Sequence, residues 1–385
     1  MNYLLNDEQR DMVKITRDFC EQIVVPNIEA YDLKSIFDID AFKEAAELGI
    51  HYPELPEAIG GAGLDLETCA AINEEIARAD AGFYSALGAS RLGSRPVILF
   101  GSKDQKEKAA RSVMAGEIWA FALTETNAGS DAAAARTTAV HKGDEYILNG
   151  RKCFITNGAY ADHMTVFATI DPEKGAKGIC CFLVDRGTPG LSNGKEEDKM
   201  GIRTSNTCDI IFDDVQIPSK NLIGEEGKGF NYAMMALDNG RIDAAIGSVG
   251  IAQAAFEYAI KYAQERKTFG QAIINNQAIQ FMLADMETAI SVSRQQALYA
   301  VKLRAMHSPM FAKVSAQAKT FASDQAVQVC LDALQILGGY GYMREYPVEK
   351  LLRDVKIFQI YEGTNQIQRM VIAGALRREY KIKSK

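Results

Sequence analysis

The 385-residue sequence has no long hydrophobic run and no basic block, and we expect no targeting leader. No window approaches roughly 18 uninterrupted apolar residues, so membrane insertion is not expected. The start, MNYLLNDEQRDM, has neither an apolar core behind a basic region nor an Arg-rich amphipathic leader, which favours a cytoplasmic protein. The net charge of −7 is spread over many acids and bases, so no nucleic-acid partner is expected.

Histidine is scarce and cysteine is scattered. The four histidines are far apart and form no HExxH or HxH pattern, so no metal site is expected. The seven cysteines are an odd number and lack CxxC spacing. This usage favours reduced thiols in an intracellular protein over a disulfide framework or a zinc site.

The composition is that of a globular protein, with 47% hydrophobic and 24% charged residues. The length predicts two or three domains. Because the residue pattern changes from helical to strand-like and back, we predict an α+β multidomain fold. Its parts are a helical N-terminal domain (1–118), a middle β-barrel or sandwich domain (119–228) and a C-terminal four-helix bundle (229–385).

The two outer blocks carry helical periodicity. DEQRDMVKITRDFCEQIVVPNIEAYD has apolar residues three and four apart, with Asp7 as an expected N-cap and Pro26 as an interruption. In the last block we predict helical segments over 230–250, 251–266, 277–307 and 310–337, and a final helix after Gly363. Their Ala-, Gln-, Met- and Leu-rich composition suits long helices packed side by side.

The middle block has short β-branched or aromatic runs separated by turn residues. WAFALTE, RTTAVHKGDEYILNGRKCFIT, HMTVFATI, GICCFLVD and DIIFDDVQIP predict strands and hairpins. Gly143-Asp144 and Asn149-Gly150 are predicted turns.

One loop of the middle block is rich in hydroxyls and glycine. FALTETNAGSDAAAARTTA leaves a predicted strand and exposes backbone N–H groups near Thr124, Gly129 and Ser130. Such an arc suits an anion or the edge of a polar heterocycle, and an ordinary glycine turn is the alternative. The chain has no GxGxxG opening a βαβ unit and no GxxxxGK[ST], which excludes a Rossmann or Walker phosphate site.

Three features of the last block are ambiguous in isolation. Arg266 follows a predicted helix in ERKTFGQAI, where basic residues commonly compensate the helix dipole. QILGGYGY has more glycines than a helix C-cap needs and permits close backbone approach. Asp238 and Arg241 are three positions apart on one helix face, which is also the spacing of an ordinary surface ion pair.

Glu362 is the acid of the segment FQIYEGTNQIQR. It can be a solvated acid near a helix start, with Thr364 and Asn365 as capping residues. It can instead be a general base in an apolar pocket, where desolvation raises the carboxyl pKa toward neutral pH. The residues of this segment leave both interpretations open.

The order of the motifs resembles the acyl-CoA dehydrogenase family, in its short- and medium-chain, butyryl-CoA dehydrogenase-like form. The resemblance runs from LNDEQRDM to QRMVIAGAL. It is carried by ALTETNAGSDA, LNGRKCFITNGAYAD, KMGIRTSNTCDIIFDDVQIP, GEEGKGF, ERKTFGQAI, QILGGYGY and RDVKIFQIYEGTNQIQ.

The resemblance implies that Glu362 is the catalytic base. In short- and medium-chain members the base lies in an IYEGT segment, whereas isovaleryl and long-chain types carry it in the segment seen here as LDNGR. At that second position this chain has Gly240, which cannot act as a base. The implied reaction is removal of the α-proton by Glu362 with β-hydride transfer to flavin N5, giving a trans-2-enoyl-CoA.

The resemblance also implies FAD contacts and a shared cofactor site. Arg266, Thr268, Phe269 and Gln277 would come from one subunit and Gln335, Gly338 and Gly339 from a neighbour, so that a homotetramer built as a dimer of dimers is expected. The implied cofactor residues are Phe121, Leu123, Thr124, Gly129, Ser130, Phe154, Ile155, Thr156, Arg266, Thr268, Phe269, Gln277, Gln335, Gly338, Gly339, Thr364 and Gln366.

The implied contacts to the CoA thioester are Ser130, Asp238, Arg241, Tyr361 and Gly363. Two positions depart from the commoner family pattern. Phe154 stands where many relatives have tryptophan, which alters the expected flavin stacking. Thr126 stands where proline is common, which loosens the loop backbone.

The implied function is dehydrogenation of short or medium straight-chain acyl-CoA in fatty-acid β-oxidation, with electrons passed to an electron-transfer flavoprotein. An enoyl-CoA reductase running the same chemistry in reverse is an alternative that the sequence does not separate from it. Two others are an acyl-CoA oxidase, a class with generally longer chains, and a catalytically silent binding protein, for which loss of the base would be expected.

Overall fold

The computed structural model describes residues 5–381. The outermost ends of the first and last predicted domains, residues 1–4 and 382–385, lie outside the described residues. Helices, then strands, then helices follow along the chain, which confirms the predicted fold class. The six N-terminal helices are Asp7–Phe19 (α1), Ile28–Lys34 (α2), Ile39–Glu47 (α3), Leu66–Ala79 (α4), Ala81–Phe100 (α5) and Lys103–Met114 (α6).

The start of α1 differs from the prediction by one residue. Asn6, not Asp7, is the N-cap, and it forms a capping box with Gln9 through two hydrogen bonds of 2.9 Å. The predicted interruption at Pro26 is present as a short 3-10 turn, Val25–Asn27, because proline cannot donate the next helical hydrogen bond.

The middle domain is one curled sheet of seven strands. The strands are Trp119–Ala122 (β1), Thr138–Lys142 (β2), Glu145–Thr156 (β3), His163–Thr169 (β4), Ile179–Asp185 (β5), Leu191–Glu196 (β6) and Thr207–Pro218 (β7). Their order is β1-β4-β2-β3-β7-β6, with β5 paired to β4. Strands β1 and β4 run parallel, whereas β3 and β7 form a long antiparallel pair.

Two strand-level predictions need correction. The turn predicted at Asn149-Gly150 is wrong, because both residues lie inside β3 at a shift in its register with β7. A side chain at Gly150 would collide with Thr137, so the glycine is required by close packing at this irregularity. Strand β6 was not predicted, since its sequence LSNGKE is polar and mostly exposed.

The C-terminal domain is a helical bundle. Its helices are Gly229–Glu265 (α7), Gln277–Ala305 (α8), Phe311–Leu337 (α9), Val348–Val355 (α10) and Asn365–Glu379 (α11). The predicted segments 230–250 and 251–266 are one continuous helix. Gly250 lies within this helix. A side chain there would collide with the backbone of Glu74 on α4, so the glycine allows the two helices to pack closely. A small hairpin, Lys267–Thr268 (β8) and Gln271–Ala272 (β9), follows α7.

A buried ion cluster ties the three domains together. Lys350 Nζ lies 2.6 Å from Asp80 Oδ1 of the first domain and 2.5 Å from Asp354 Oδ2 of its own helix. Asp354 also accepts the backbone N–H of Ile202 from the middle domain at 2.5 Å. Each buried charge is therefore paired, and removal of one partner would leave another uncompensated.

The described residues contain neither a candidate membrane span nor a candidate metal cluster. Between Leu5 and Lys381 no helix is long and apolar enough to cross a membrane. Over the same range, no three His, Cys, Asp or Glu side chains are grouped so that they could hold a metal ion. The seven cysteines are buried and carry free thiols.

Candidate active site

The segment around Glu362 is a strained turn between two helical elements. It follows the 3-10 turn Lys356–Gln359 and ends where Thr364 caps α11 by accepting the N–H of Ile367 at 3.3 Å. Glu362 has φ of 55° and Gly363 has φ of 83°. A non-glycine residue with positive φ persists only where its surroundings hold it there, and such residues are concentrated at functional sites.

Two buried side chains hold this turn. Lys319 of α9 donates from Nζ to the carbonyl of Gly363 at 2.9 Å and to Asn365 Oδ1 at 2.8 Å. Gln368 of α11 donates from Nε2 to the carbonyls of Glu362 at 2.9 Å and Gly363 at 3.0 Å. Both side chains are fully buried, so their hydrogen bonds hold the backbone of Glu362 and Gly363 in a fixed position.

The carboxyl group of Glu362 does not behave as a surface acid. Its Oε2 atom is buried and has no hydrogen-bond partner in the described residues. Burial, together with the negative charge of Asp243, raises the carboxyl pKa to about 7, although Arg95 and Lys319 act in the opposite direction. The interpretation of Glu362 as a solvated acid therefore does not fit, whereas Thr364 does cap the next helix.

Helix α7 presents a gap and a charged pair to this carboxylate. A Cβ atom built on Gly240 would lie 2.8 Å from the carboxyl carbon of Glu362, so the glycine makes room for the acid. Asp238, two residues before Gly240, and Arg241, the residue after it, form an ion pair. Arg241 is buried and its Nε has no partner in the described part of the chain, and burial raises the pKa of Asp238. The pair is therefore not the ordinary surface pair that the spacing alone allows.

Tyr361 forms part of an aromatic wall beside the acid. Its ring lies 5.0 Å from that of Phe358, which in turn stacks on Tyr84 of α5 at 6.4 Å between centroids. Burial raises the pKa of the Tyr361 hydroxyl. Helices α5 and α7 thus meet the base turn at one place.

The predicted flavin residues of the middle domain lie on two neighbouring segments, where Leu123 and Ile155 are buried and the exposed members form a surface. The N–H of Cys153 donates to the carbonyl of Thr124 at 2.9 Å, which joins the TETNAGS loop to the end of β3. Lys152 Nζ fixes the start of the loop through the carbonyl of Leu123 at 3.0 Å and Glu125 Oε1 at 2.7 Å. This brings together Phe121, Leu123, Thr124, Gly129 and Ser130 with Phe154, Ile155 and Thr156.

This surface has open space and an uncovered aromatic ring. No heavy atom lies within 4 Å of a Cβ built on Gly129. Phe154 is 65% exposed and adopts φ of 57°. A strained, exposed aromatic side chain beside a hydroxyl-rich loop suits a planar ligand with polar edges.

The other predicted cofactor residues lie at a second place in the same chain. Arg266, Thr268, Gly338 and Gly339 line a cleft of about 480 Å³ together with Tyr262. Gln277 begins α8 and Gln335 lies in the last turn of α9, both exposed beside that cleft. One chain brings the Arg266 and Gly338 groups together in this cleft. The predicted division of these groups between two subunits around one cofactor stays a prediction.

The tip of the β8–β9 hairpin next to this cleft is open. Phe269 is fully exposed with φ of 50°, and nothing lies within 4 Å of Cβ atoms built on Gly338 or Gly339. Arg266 stacks over the ring of Tyr340 at 5.7 Å. The cleft thus offers a cation, aromatic rings and glycine backbone to a ligand or to another subunit.

The cleft and Glu362 lie far apart within one chain. Gly240, which faces Glu362, and Glu265, at the cleft, are 25 positions apart on α7. At 1.5 Å per residue this is about 38 Å. The predicted residues near Glu362, which include Thr364 and Gln366, are therefore far from those at the Arg266 cleft within one chain.

Four residues of the site were missed by sequence reasoning. Lys319, Asp243 and Arg95 act on Glu362 or its backbone from distant parts of the chain, and Gln368 acts on it from the next helix, six residues away. A weak signal existed for Lys319, since this charged residue stands among Ala and Ser at positions that would face a helical core. The others needed three-dimensional contacts that no local pattern predicts.

Comparison with known proteins gives consistent matches over the whole described length. Sequence models of the acyl-CoA dehydrogenase N-terminal, middle and C-terminal domains match residues 6–117, 120–215 and 227–376. Acryloyl-CoA reductase (NADH) of Anaerotignum propionicum is 43% identical over 97% of this chain and 95% of its own.

Two solved structures have closely similar folds. Butyryl-CoA dehydrogenase of Megasphaera elsdenii is 44% identical, with a TM-score of 0.95 over 98% of this chain and 100% of that one. A chain in a structure described as the electron transferring flavoprotein of Acidaminococcus fermentans is 43% identical, with a TM-score of 0.95 and the same coverage.

Proposed function

The chain belongs to the acyl-CoA dehydrogenase family, and from this we propose that Glu362 abstracts the α-proton of a short- or medium-chain acyl-CoA thioester. Members of the family depend on FAD, which, when bound, supplies the acceptor for the β-hydride. The proposed product is a trans-2-enoyl-CoA, and the proposed partner is an electron-transfer flavoprotein. The similarity to a chain from an electron transferring flavoprotein structure supports that partner.

The state of the Glu362 carboxyl carries the proposal. A general base works best when its pKa is near the working pH, and the pKa of Glu362 is raised to about 7. Its Oε2 atom is buried without a partner in the described residues and can therefore accept a proton from a substrate carbon. The turn held by Lys319 and Gln368 keeps this atom in place, so that little reorganisation is needed at the moment of transfer.

The thioester carbonyl needs hydrogen-bond donors while the proton is removed. No backbone hydrogen bond among residues 5–381 uses the N–H of Glu362, which supports its proposed role as one donor. The family resemblance assigns the second donor to the cofactor. Asp238 and Arg241, with Ser130, Tyr361 and Gly363, are the proposed contacts to the rest of the thioester, since a buried guanidinium suits the anionic CoA.

The residues present fit FAD at two places. The open Gly129 loop and exposed Phe154 suit the flavin end, and the Arg266 cleft suits the pyrophosphate and adenine end. Since about 38 Å of α7 separates Gly240, which faces Glu362, from the Arg266 cleft in one chain, a single FAD molecule that reaches both would need Glu362 of one subunit and the cleft of another. This supports an obligatory oligomer, proposed as a homotetramer built as a dimer of dimers.

An enoyl-CoA reductase is the second candidate. It uses the same residues in reverse, and the similarity to an acryloyl-CoA reductase supports it. A redox titration of the protein with bound substrate separates the two, because the potential relative to the electron partner sets the direction. The free, buried cysteines support a reducing, cytoplasmic compartment for either candidate.

The proposed function is tested with purified, FAD-loaded protein under anaerobic conditions. Acyl-CoA thioesters of three to sixteen carbons are mixed with the protein, and bleaching of the flavin absorbance is followed. We expect bleaching that is fastest with short or medium chains. Absence of bleaching with every thioester would contradict the proposal, and rapid reoxidation of the reduced protein by air would instead favour an oxidase.

A further inference from the structure

Asp243 and Arg95 form a charged pair beside Glu362 that the proposed function does not use. Asp243 lies on α7 three residues after Gly240, which places it on the helix face that meets Glu362. Arg95 projects from α5, and its Nη1 lies 3.7 Å from Asp243 Oδ2. That distance is too long for a direct hydrogen bond, so the two groups attract each other without satisfying each other.

Both members of the pair have unused hydrogen-bonding capacity. Arg95 is 3% exposed, and while its Nη2 donates to Glu54 Oε1 at 2.7 Å, its Nη1 has no partner in the described residues. The side chain of Asp243 keeps 21% of its surface, although it lies deep between helices. A buried donor and a partly exposed acceptor therefore face each other without a hydrogen bond between them, and a polar group of a ligand that approaches Asp243 can join them.

The pair belongs to the wall that carries the base. The hydroxyl of Tyr84 on α5 donates to the carbonyl of Asp243 at 2.6 Å, and the ring of Tyr84 stacks on Phe358. Phe358 contacts Tyr361, the neighbour of Glu362. Asp243 also acts directly on Glu362, whose pKa it raises. If a thioester is held with its α-carbon at Glu362, its acyl tail would therefore lie close to Asp243.

We propose that Asp243 and Arg95 determine acyl specificity by selecting thioesters whose tail carries a hydroxyl group. The inference rests on the proposed function, because it assumes that the acyl chain occupies the space between α5, α7 and Glu362. A hydroxyl can donate to Asp243 Oδ2 and accept from Arg95 Nη1, so it satisfies both groups at once.

Acyl tails that end in a carboxylate, an ammonium or an apolar group are expected to bind this pair less well than a hydroxyl. A carboxylate would be repelled by Asp243 and Glu362, and an ammonium would meet the guanidinium of Arg95. A methyl or methylene at this position would cover a donor and an acceptor without replacing their hydrogen bonds, which is the basis of strong discrimination against apolar analogues.

The test compares thioesters matched in size. 4-Hydroxybutyryl-CoA and pentanoyl-CoA have equal numbers of heavy atoms, as do 5-hydroxypentanoyl-CoA and hexanoyl-CoA, so each pair differs only in a hydroxyl for a methyl. The rate constant for flavin reduction divided by the dissociation constant is measured anaerobically with the FAD-loaded oligomer. We expect the hydroxylated member of at least one pair to be favoured by about tenfold or more.

Variants of the pair supply the second arm. In the double variant Arg95→Met with Asp243→Leu, no buried charge is left unpaired, because Glu54 keeps Arg304 at 2.8 Å. We expect this variant to lose the preference and to favour the apolar members. Asp243→Asn, which keeps an acceptor, should retain part of the preference, and it serves if the double variant does not bind FAD.

The outcomes distinguish failure of the hydroxyl preference from failure of the proposed function. A hydroxyl preference in the wild type that disappears in the double variant supports the inference. Equal or better reduction by pentanoyl-CoA and hexanoyl-CoA overturns it, since the pair would then be bridged by water or serve only in packing. Absence of flavin reduction by every acyl-CoA from three to sixteen carbons would instead contradict the proposed function itself.

Discussion

Gly240 and Glu362 face each other so closely that only one of the two positions can carry an acid. A Cβ atom on Gly240 would lie 2.8 Å from the carboxyl carbon of Glu362. The resemblance to acyl-CoA dehydrogenases names these as the two alternative base positions, although they are far apart in sequence. Because the two positions converge, a base from either the helix or the turn can serve the same substrate carbon, and glycine accompanies Glu362 here.

The first prediction concerns this close approach. Gly240→Ala should displace the Glu362 carboxylate and slow flavin reduction by an acyl-CoA about tenfold to a hundredfold, because small misplacements of a reacting group are costly. FAD content should be unchanged. Gly374→Ala is the matched control, since a side chain there in α11 would meet only the end of Arg378 at 3.8 Å. Equal rates for the two variants would show that the approach does not matter.

The second prediction concerns the residue that holds the base turn. Lys319→Met removes the donor to Gly363 and Asn365 and should slow flavin reduction by about tenfold or more. Because the cation also lowers the pKa of Glu362, its loss should move the pH profile of the reaction to higher pH. Lys302→Met, at an exposed position of α8, is the control. An unmoved pH profile in Lys319→Met would leave the lysine with a structural role only.

The third prediction is the pH dependence of the wild type. Below its pKa of about 7 the Glu362 carboxyl is protonated and cannot accept the α-proton. The rate of flavin reduction should therefore rise with pH, reach half its maximum near neutrality and level off above. Burial lowers the pKa of Lys319 to about 7 as well, so the profile belongs to the coupled pair. A flat profile between pH 5.5 and 8.5 would be inconsistent with a base of this kind.

The fourth prediction concerns the distant cleft. Arg266→Ala removes the cation stacked over Tyr340 and should weaken FAD retention and subunit association together. Flavin content after gel filtration and the mass of the eluted species measure both effects. Lys267→Ala, the exposed neighbour, is the charge-matched control. Full flavin content with an unchanged mass in Arg266→Ala would separate the cleft from the cofactor.

The sequence predicted the fold where residue periodicity was strong. The long amphipathic helices and the β-branched strands follow local patterns, whereas β6 was missed because its residues are polar and exposed. The Asn149-Gly150 pair was misassigned to a turn, since the same residues also suit an irregularity within a strand. The sequence predicted a break between two helical segments at Gly250, whereas the helix is continuous there. The glycine is explained by the backbone of another helix that packs against it, which no local pattern shows.

The site was predictable only as far as motifs extend. Glu362 and the flavin loop stand in segments that a family resemblance can identify. Lys319, Asp243 and Arg95 act across distances of tens to hundreds of residues in sequence, whereas Gln368 acts from six residues away, and the roles of all four depend on burial and on contacts in three dimensions. The hairpin and the glycines after α9 meet only in three dimensions, so no local pattern predicted that one chain brings them together.

The central claim is that Glu362 removes a proton from bound acyl-CoA, and Glu362→Gln tests it most directly. The substitution keeps size and hydrogen-bonding atoms but removes the base, so the purified variant should be folded, yellow and FAD-loaded. Mixed anaerobically with the acyl-CoA that bleaches the wild type fastest, it should show no flavin reduction on the same timescale. Reduction at the wild-type rate would contradict the assignment of Glu362 as the base.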